Sequence, residues 1–362
     1  MKTSILSVYS EPTGVEQLRE AIHGLMLDRP PVKIMHVCGS HEHEIIRYGL
    51  RQLLPNNLTI VSGPGCPVCI CPVEDIDLAI EMAQRPQTTV CTFGDMIRVP
   101  ASRSSLEQAR REGASVEMVY SPTDVLRLAL ANPSRTFVFF SIGFETTIIG
   151  VAALLRAGVP NNLKIILANR YTPPALGHLM QVHQQSIHGF LLPGHACVIT
   201  GLEPYRFMED RYKLPCVVTG FEPIDILRGL LEVLISIREQ CNRVKNAYPR
   251  AVKPEGNVSA QKLIMQVFDR CDGNWRGIGS IPQSAFQFKN EYAFADARKT
   301  IQSQASLPSQ QHPRACICHK IMLAEKTPKD CRLFGEACQP SHPYGPCMVS
   351  SEGTCHAWFN ES

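Results

Sequence analysis

The sequence predicts an α/β protein with two similar parallel-sheet domains and a smaller, loop-rich, cysteine-rich domain. Three observations predict it. Eight apolar, β-branched runs alternate with helical patterns, a short segment recurs roughly a hundred residues later, and six cysteines crowd into the last 47 residues.

The runs fall in two sets, at 32–37, 58–61, 88–92 and 116–120, then at 136–140, 163–167, 189–192 and 216–218. Each ends in Gly, Pro or polar residues. Continuous apolar runs of this length are what strands buried on both faces of a parallel sheet look like. Helical patterns lie between them, near 76–82, 106–111 and 148–155. Before the first of these, Pro72, Glu74 and Asp75 suit a first helical turn. Strands alternating with helices define an α/β fold of Rossmann-like type.

Ser121-Pro122-Thr123-Asp124-Val125-Leu126-Arg127 is matched by Glu222-Pro223-Ile224-Asp225-Ile226-Leu227-Arg228. This repeat divides the chain into domains at 31–130 and 131–240. A single large sheet is the alternative. Residues 231–244 read as helix. Beyond them Pro249, Pro254 and Gly256 interrupt the pattern, and the polar stretch 301–315 reads as a linker or exposed loop. Residues 1–30 together with 241–362 form the expected third domain.

Composition narrows the function classes. Of the 362 residues, 44% are hydrophobic and 19% charged, a globular mix. The formal net charge is only +3 and no long basic run occurs, so no nucleic-acid footprint is present. No stretch reaches the ~20 apolar residues of a membrane span. The first residues turn polar by Ser10-Glu11 without a signal-peptide pattern, which predicts a reducing, cytoplasmic setting. Fifteen cysteines in such a setting point to metal binding or redox work rather than to a disulfide framework.

The cysteines fall into three groups. Cys316, Cys318, Cys331, Cys338, Cys347 and Cys355 lie among Pro and Gly, with little apolar material to bury. A thiolate-bound metal would supply the missing folding free energy. Their spacing is wider than the Cys-x(2–4)-Cys pairs of zinc sites and fits an iron–sulfur cluster, with zinc or plain structural thiols as alternatives. The second group is Gly63-Pro64-Gly65-Cys66-Pro67-Val68-Cys69-Ile70-Cys71-Pro72, between an expected strand and an expected helix. Cys66-x-x-Cys69 at a helix start suits reversible disulfide chemistry, against the plainer reading of a tight turn with buried thiols. The third is Cys38-Gly39-Ser40-His41-Glu42-His43-Glu44. Ser40 would cap the next helix, Glu42 would sit in its first turn, and Cys38 would be held as a thiolate, a good soft-metal ligand. His41 and His43 could ligate metal or move protons, or simply belong to a solvated helix start.

Thr92-Phe93-Gly94-Asp95-Met96, Gly143-Phe144-Glu145-Thr146-Thr147 and Gly194-His195 each follow a strand, where open α/β sheets place their sites. Trp275-Arg276-Gly277-Ile278-Gly279 reads as a contact surface or a turn. Neither a Walker A pattern nor a Gly-x-Gly-x-x-Gly follows a strand, so nucleotide binding has no support.

Taken in order, the Cys38, Gly63, Thr92, Gly143 and Trp275 motifs and Gly345-Pro346-Cys347-Met348-Val349-Ser350 resemble the HypD family of hydrogenase maturation factors. The resemblance spans nearly the whole chain. It implies a scaffold that assembles the Fe(CN)2CO group of [NiFe] hydrogenases with a small chaperone, HypC, and a cyanide donor, HypE. It implies that Cys38 holds the iron and that Cys66 and Cys69 are redox active. The family's Cys-x(14)-Cys-x(6)-Cys-x(16)-Cys pattern falls on Cys316, Cys331, Cys338 and Cys355, implying a [4Fe-4S] cluster there, with Cys318 and Cys347 left over. Ser40 stands where Thr is usual, His319 where Gly often stands, and Ala196-Cys197 where Val-Ser is usual. The competing class is a freestanding thiol–disulfide oxidoreductase that uses only Cys66 and Cys69.

Overall fold

The computed structural model describes residues 12–182, 186–300 and 315–360. All eight expected strands form: β1 Val32–His36, β2 Leu58–Ser62, β3 Thr88–Thr92, β4 Val116–Met118, β5 Thr136–Gly143, β6 Leu163–Asn169, β7 Gly189–Pro193 and β8 Cys216–Thr219. For the interior strands the cause is burial on both faces, while the edge strands β2 and β4 leave Thr59, Glu117 and Met118 exposed. In β1, Val32 and Ile34 enter the core on one side of the sheet while Met35, followed by Val37, enters the core on the other. Every residue of β3, β7 and β8 is buried.

Two parallel sheets result. One has the order β2-β1-β7-β8-β9, where β9 is Val244–Asn246, and the other β4-β3-β5-β6. Each has the doubly wound pattern in which the second strand lies outside the first and the later strands continue on the other side. The order therefore reverses between β1 and β7 in one sheet, and between β3 and β5 in the other. At such a reversal the loops diverge and leave a crevice at the carboxyl ends of the strands.

The strands are shared out differently from the sequential halves 31–130 and 131–240. The four-stranded sheet runs across residue 130, inserted between β2 and β7 of the five-stranded sheet. The helix Pro12–Met26 packs on the helix Pro223–Arg238, with Ile22 and Met26 against Ile226, Leu227 and Leu230, so it joins the five-stranded layer. The two matching heptads are helix starts at non-equivalent places, one after the edge strand β4 and one after the interior strand β8. What they share is Pro at the first helical position and an acid in the first turn.

The segment expected to be helical at 231–244 behaves in two ways. The helix begins earlier, at Pro223, and ends at Arg238; Gln240 then takes a left-handed conformation, and β9 follows. Trp275-Arg276-Gly277 is the tip of an antiparallel hairpin, β10 Phe268–Trp275 and β11 Gly279–Phe288. The expected linker at 301–315 lies outside the described residues, apart from residue 315.

One face of the four-stranded sheet is continuous with the cysteine motifs. Val138, Phe140 and Ile142 of β5 share a core with Cys66, Cys69, Cys71 and Trp275, and with Cys316, Cys318, Cys338, Cys347 and Cys355. Among the described residues, no helix is long and apolar enough to cross a membrane.

Candidate functional site: three sulfur centres in one core

Strand β1 carries Val37 and Cys38 to the crevice between β1 and β7. Cys38 is extended (φ −150°, ψ 127°) and is itself the N-cap of the helix Gly39–Arg47. It is 2% exposed. Burial pushes its thiol up to about 12, and the backbone N–H groups of His41 and Ser40 only partly offset this. The sequence suggests a thiolate; burial makes it a protonated thiol, which a metal must deprotonate on binding. Ser40 does not cap the helix. Its hydroxyl donates to Glu352 Oε1 at 2.8 Å, tying the Cys38 loop to the cysteine-rich segment.

Across the crevice, β7 ends at Pro193 and the next turn presents His195, whose Nδ1 is 3.8 Å from Cys38 Sγ. The His195 ring stacks on Phe221 at 5.3 Å, and His41 packs on the same ring at 5.0 Å. His41 is fully buried. Burial, with His36 and His195 nearby, lowers it to about 3, so it is neutral at physiological pH. Its Nε2–H donates to the Gly220 carbonyl at 3.0 Å, and its Nδ1 has no hydrogen-bond partner. His43 is only partly buried, apart from this stack.

Beneath this loop lies Glu42, also fully buried. His36 Nε2 and Arg51 Nη2 each lie 2.7 Å from Glu42 Oε2, and Trp358 Nε1 donates to Oε1 at 2.6 Å. Burial alone would raise its carboxyl; the Arg51 charge and the His36 bond overcome this and hold it at about 2. Glu42 is thus a pinned anion, not a solvated helix-start residue.

The Gly63–Cys71 loop packs directly on Cys38. The Gly39 N–H donates to the Gly65 carbonyl at 3.1 Å. A Cβ on Gly65 would lie 2.2 Å from the Cys38 nitrogen, so only glycine permits this approach. Cys66 then caps the short helix Pro67–Ile70, accepting the Cys69 N–H on its sulfur at 3.3 Å. The two sulfurs are joined as a disulfide, with Cα atoms 5.3 Å apart. Cys66 and Cys69 are 6% and 1% exposed. Cys71 is buried too. Burial raises its thiol and Asp75 adds to this, while Arg170 and Arg276 act the other way. The Arg276 N–H donates to the Ile70 carbonyl at 2.9 Å. Arg276 is buried, and its Nε and Nη1 have no hydrogen-bond partner among the described residues.

The helix Pro67–Ile70 rests on the turn Pro346–Met348 of the cysteine-rich segment. That segment surrounds a small apolar cavity lined by all six C-terminal cysteines, together with Ile321, Leu333, Phe334, Gly345 and Met348. Cys318 and Cys347, set aside by spacing, are therefore neighbours of the other four. Cys318 interacts with both Cys316 and Cys347, and Cys347 with Cys355. The Tyr344 N–H donates to Cys338 Sγ at 3.2 Å. A Cβ on Gly345 would lie 2.5 Å from Cys316 Sγ, so the glycine leaves that sulfur its space. Among the described residues, no three His, Cys, Asp or Glu side chains form a group that could hold a single metal ion as they stand.

Of the strand-end motifs, Gly143-Phe144-Glu145 contributes a buried carboxyl, raised by burial and bonded by the Thr172 N–H (2.6 Å) and hydroxyl (3.0 Å). Thr92-Phe93-Gly94-Asp95-Met96 leads to Arg98, whose guanidinium donates to the Pro340 and Val349 carbonyls. Sequence reasoning missed Phe221 and Glu352. Neither carries a local signal; each matters only because of what folding brings against it.

The fold and the site define a class: a doubly wound α/β protein whose thiols gather where two sheets meet a cysteine-rich cap. The family model described as "HypD: Hydrogenase formation hypA family" matches residues 13–362. A hydrogenase expression/formation protein of Methanocaldococcus jannaschii is 43% identical over 333 residues, covering 91% of each chain. The hydrogenase maturation factors HypD of Azotobacter vinelandii and Escherichia coli are 41% and 40% identical, covering 90% and 95% of this chain and 88% and 93% of theirs. The chain belongs to the HypD family of hydrogenase maturation factors.

Proposed function

We propose that this protein is a cytoplasmic scaffold on which the Fe(CN)2CO group of a [NiFe] hydrogenase is assembled, with HypC and HypE as partners. The observation that carries this reading is the contact chain from Cys38 through Gly65 to the Cys66–Cys69 disulfide, and from there to the turn holding Cys347.

The iron is the cargo. Cys38 supplies one thiolate to it at the mouth of the β1–β7 crevice. His195, neutral and 3.8 Å away, accepts or returns the proton that this thiol gives up. His41, locked by Gly220 and packed on Phe221, holds the aromatic floor in register. A partner's cysteine supplies a second thiolate from outside the crevice.

The donor set of the C-terminal cavity fits a thiolate-bound iron–sulfur cluster. It is apolar, it gathers six sulfurs from five short segments, and Tyr344 offers a backbone N–H to one of them. Cys316, Cys331, Cys338 and Cys355 would hold a [4Fe-4S] cluster, leaving Cys318 and Cys347 beside it. When bound, the cluster supplies electrons one at a time. The helix Pro67–Ile70 positions the disulfide against that cavity, so its sulfurs can be reduced from within the protein. A freestanding oxidoreductase needs a sulfur its substrate can attack; exposures of 6% and 1% work against that reading.

The test is iron and acid-labile sulfide analysis with Mössbauer spectra on anaerobically purified protein. Serine at Cys316, Cys331, Cys338 or Cys355 is expected to remove the brown chromophore; serine at Cys318 or Cys347 is expected to leave it. Colourless wild-type protein carrying stoichiometric zinc would overturn the cluster assignment.

A further inference from the structure

We propose that the cationic pocket beside the cysteine-rich segment is the docking surface for an acidic protein that carries single electrons. The inference rests on the cluster reading above, and its test separates the two.

The pocket is a cavity of about 590 Å³ between residues 98–111 and 341–343. Its charged lining is Arg98, Arg103 and Arg111 against a single acid, Glu107. Glu107 is engaged by Arg111 at 3.4 Å. The nearby Asp77 accepts from the Ser102 N–H and hydroxyl and keeps its negative charge. Arg103 is exposed and has no ion pair among the described residues. The guanidinium of Arg98 is bonded to the Pro340 and Val349 carbonyls rather than to a carboxylate. The three arginines outnumber Glu107 and Asp77, so the pocket keeps a net positive charge, the complement of an acidic surface.

Its position gives it a purpose. Residues 341–343, the far wall, join Cys338 to Tyr344, whose N–H donates to Cys338 Sγ. Tyr344, next in sequence to the wall residue Pro343, is 43% exposed, a large ring on which a partner can rest. A protein seated over this wall has one loop between itself and a cluster thiolate. Electron-transfer encounters use small, charge-steered interfaces, and a cationic rim around one exposed aromatic is such a surface. A cluster held by the cavity's cysteines would take one electron from each reduced carrier. Two carriers and two protons convert the Cys66–Cys69 disulfide to two thiols.

The experiment uses the full-length oxidised protein and an oxidised acidic [2Fe-2S] ferredoxin, with binding measured by calorimetry over a salt series. Wild type is expected to bind at low salt and to weaken steeply as salt rises. The double variant Arg103→Glu, Arg111→Glu, with unchanged melting temperature, is expected to bind at least tenfold more weakly and to lose the salt dependence. Stopped-flow reduction by reduced ferredoxin is expected to slow by about tenfold or more, while reduction by a small viologen dye stays unchanged. Equal binding by wild type and variant would overturn the proposal, as would ATP occupying the pocket while ferredoxin binds undisturbed. Patch-dependent binding by a protein found to contain no iron would leave the docking surface standing and remove the cluster reading alone.

Discussion

Burial decides the chemistry of the individual residues. Cys38 ends a buried strand at a helix start, a position that favours a thiolate, yet the loss of water outweighs the two N–H groups that face it. On the proposed role of Cys38 as iron ligand, metal must displace this proton, so iron retention measured over a pH series is expected to rise with pH. Gly65 is the steric counterpart. Gly65→Ala would drive a methyl group into the Cys38 backbone, and an expected cost of about 3 kcal/mol is measurable by chemical denaturation. Glu42 gives an acid limb. Its carboxyl titrates near 2 in the folded chain against an ordinary 4.5. The stability it contributes is therefore fully present above pH ~4.5 and drains away as pH falls toward 2, by roughly 3 kcal/mol in total. An E42Q variant should show a flatter acid limb in its melting temperature. Arg276 inverts the usual expectation. It is a buried guanidinium with two nitrogens that lack partners among the described residues, so Arg276→Met is expected to raise stability by about 1–3 kcal/mol. The same change should lower the acidity of Cys71, readable as slower alkylation of that thiol at fixed pH.

At the scale of elements, strands were the most legible feature because double-sided burial leaves an uninterrupted apolar run. The helix start at Val73 was legible for a similar reason: Pro72, Glu74 and Asp75 act within one turn. Elements set by distant partners were not. The hairpin Phe268–Phe288 mixes Asp, Arg, Asn and Gln with its apolar residues because one side faces solvent and a bulge shifts its register between Cys271 and Gly273. The helix ending at Arg238 runs into Glu239-Gln240-Cys241-Asn242-Arg243, polar residues that a solvated last turn also tolerates, and no Gly or Pro marks the stop. Of the site, the three cysteine motifs could be read from the chain. Phe221, Glu352 and the gathering of Cys318 and Cys347 could not, since each depends on a contact made between segments far apart in sequence. One such contact joins the helices Gly39–Arg47 and Thr354–Phe359 through Trp358 and Glu42. Trp358→Phe keeps an aromatic ring but deletes the pyrrole ring with its N–H, and is expected to cost about 1.5–3 kcal/mol, checked by thermal unfolding.

For the whole molecule, interleaving the sheets is what brings the sulfur centres together. Because β3–β6 are inserted between β2 and β7, the crevice of the five-stranded sheet takes one lip from Cys38, early in the chain, and the other from His195, much later. The loop after β2 turns the disulfide toward the four-stranded sheet's core, where the cysteine-rich segment closes it off. A sequential split would have separated β1 from β7 and left Cys38 without its imidazole. The account's central claim is that Cys38 grips the iron while its diatomic ligands are added. Infrared spectra of the protein co-purified with HypC from hydrogenase-producing cells test it most directly. Wild type should show the bands of iron-bound CO and cyanide, and Cys38→Ala should lose them while keeping the cluster's colour. Undiminished bands in Cys38→Ala would contradict it.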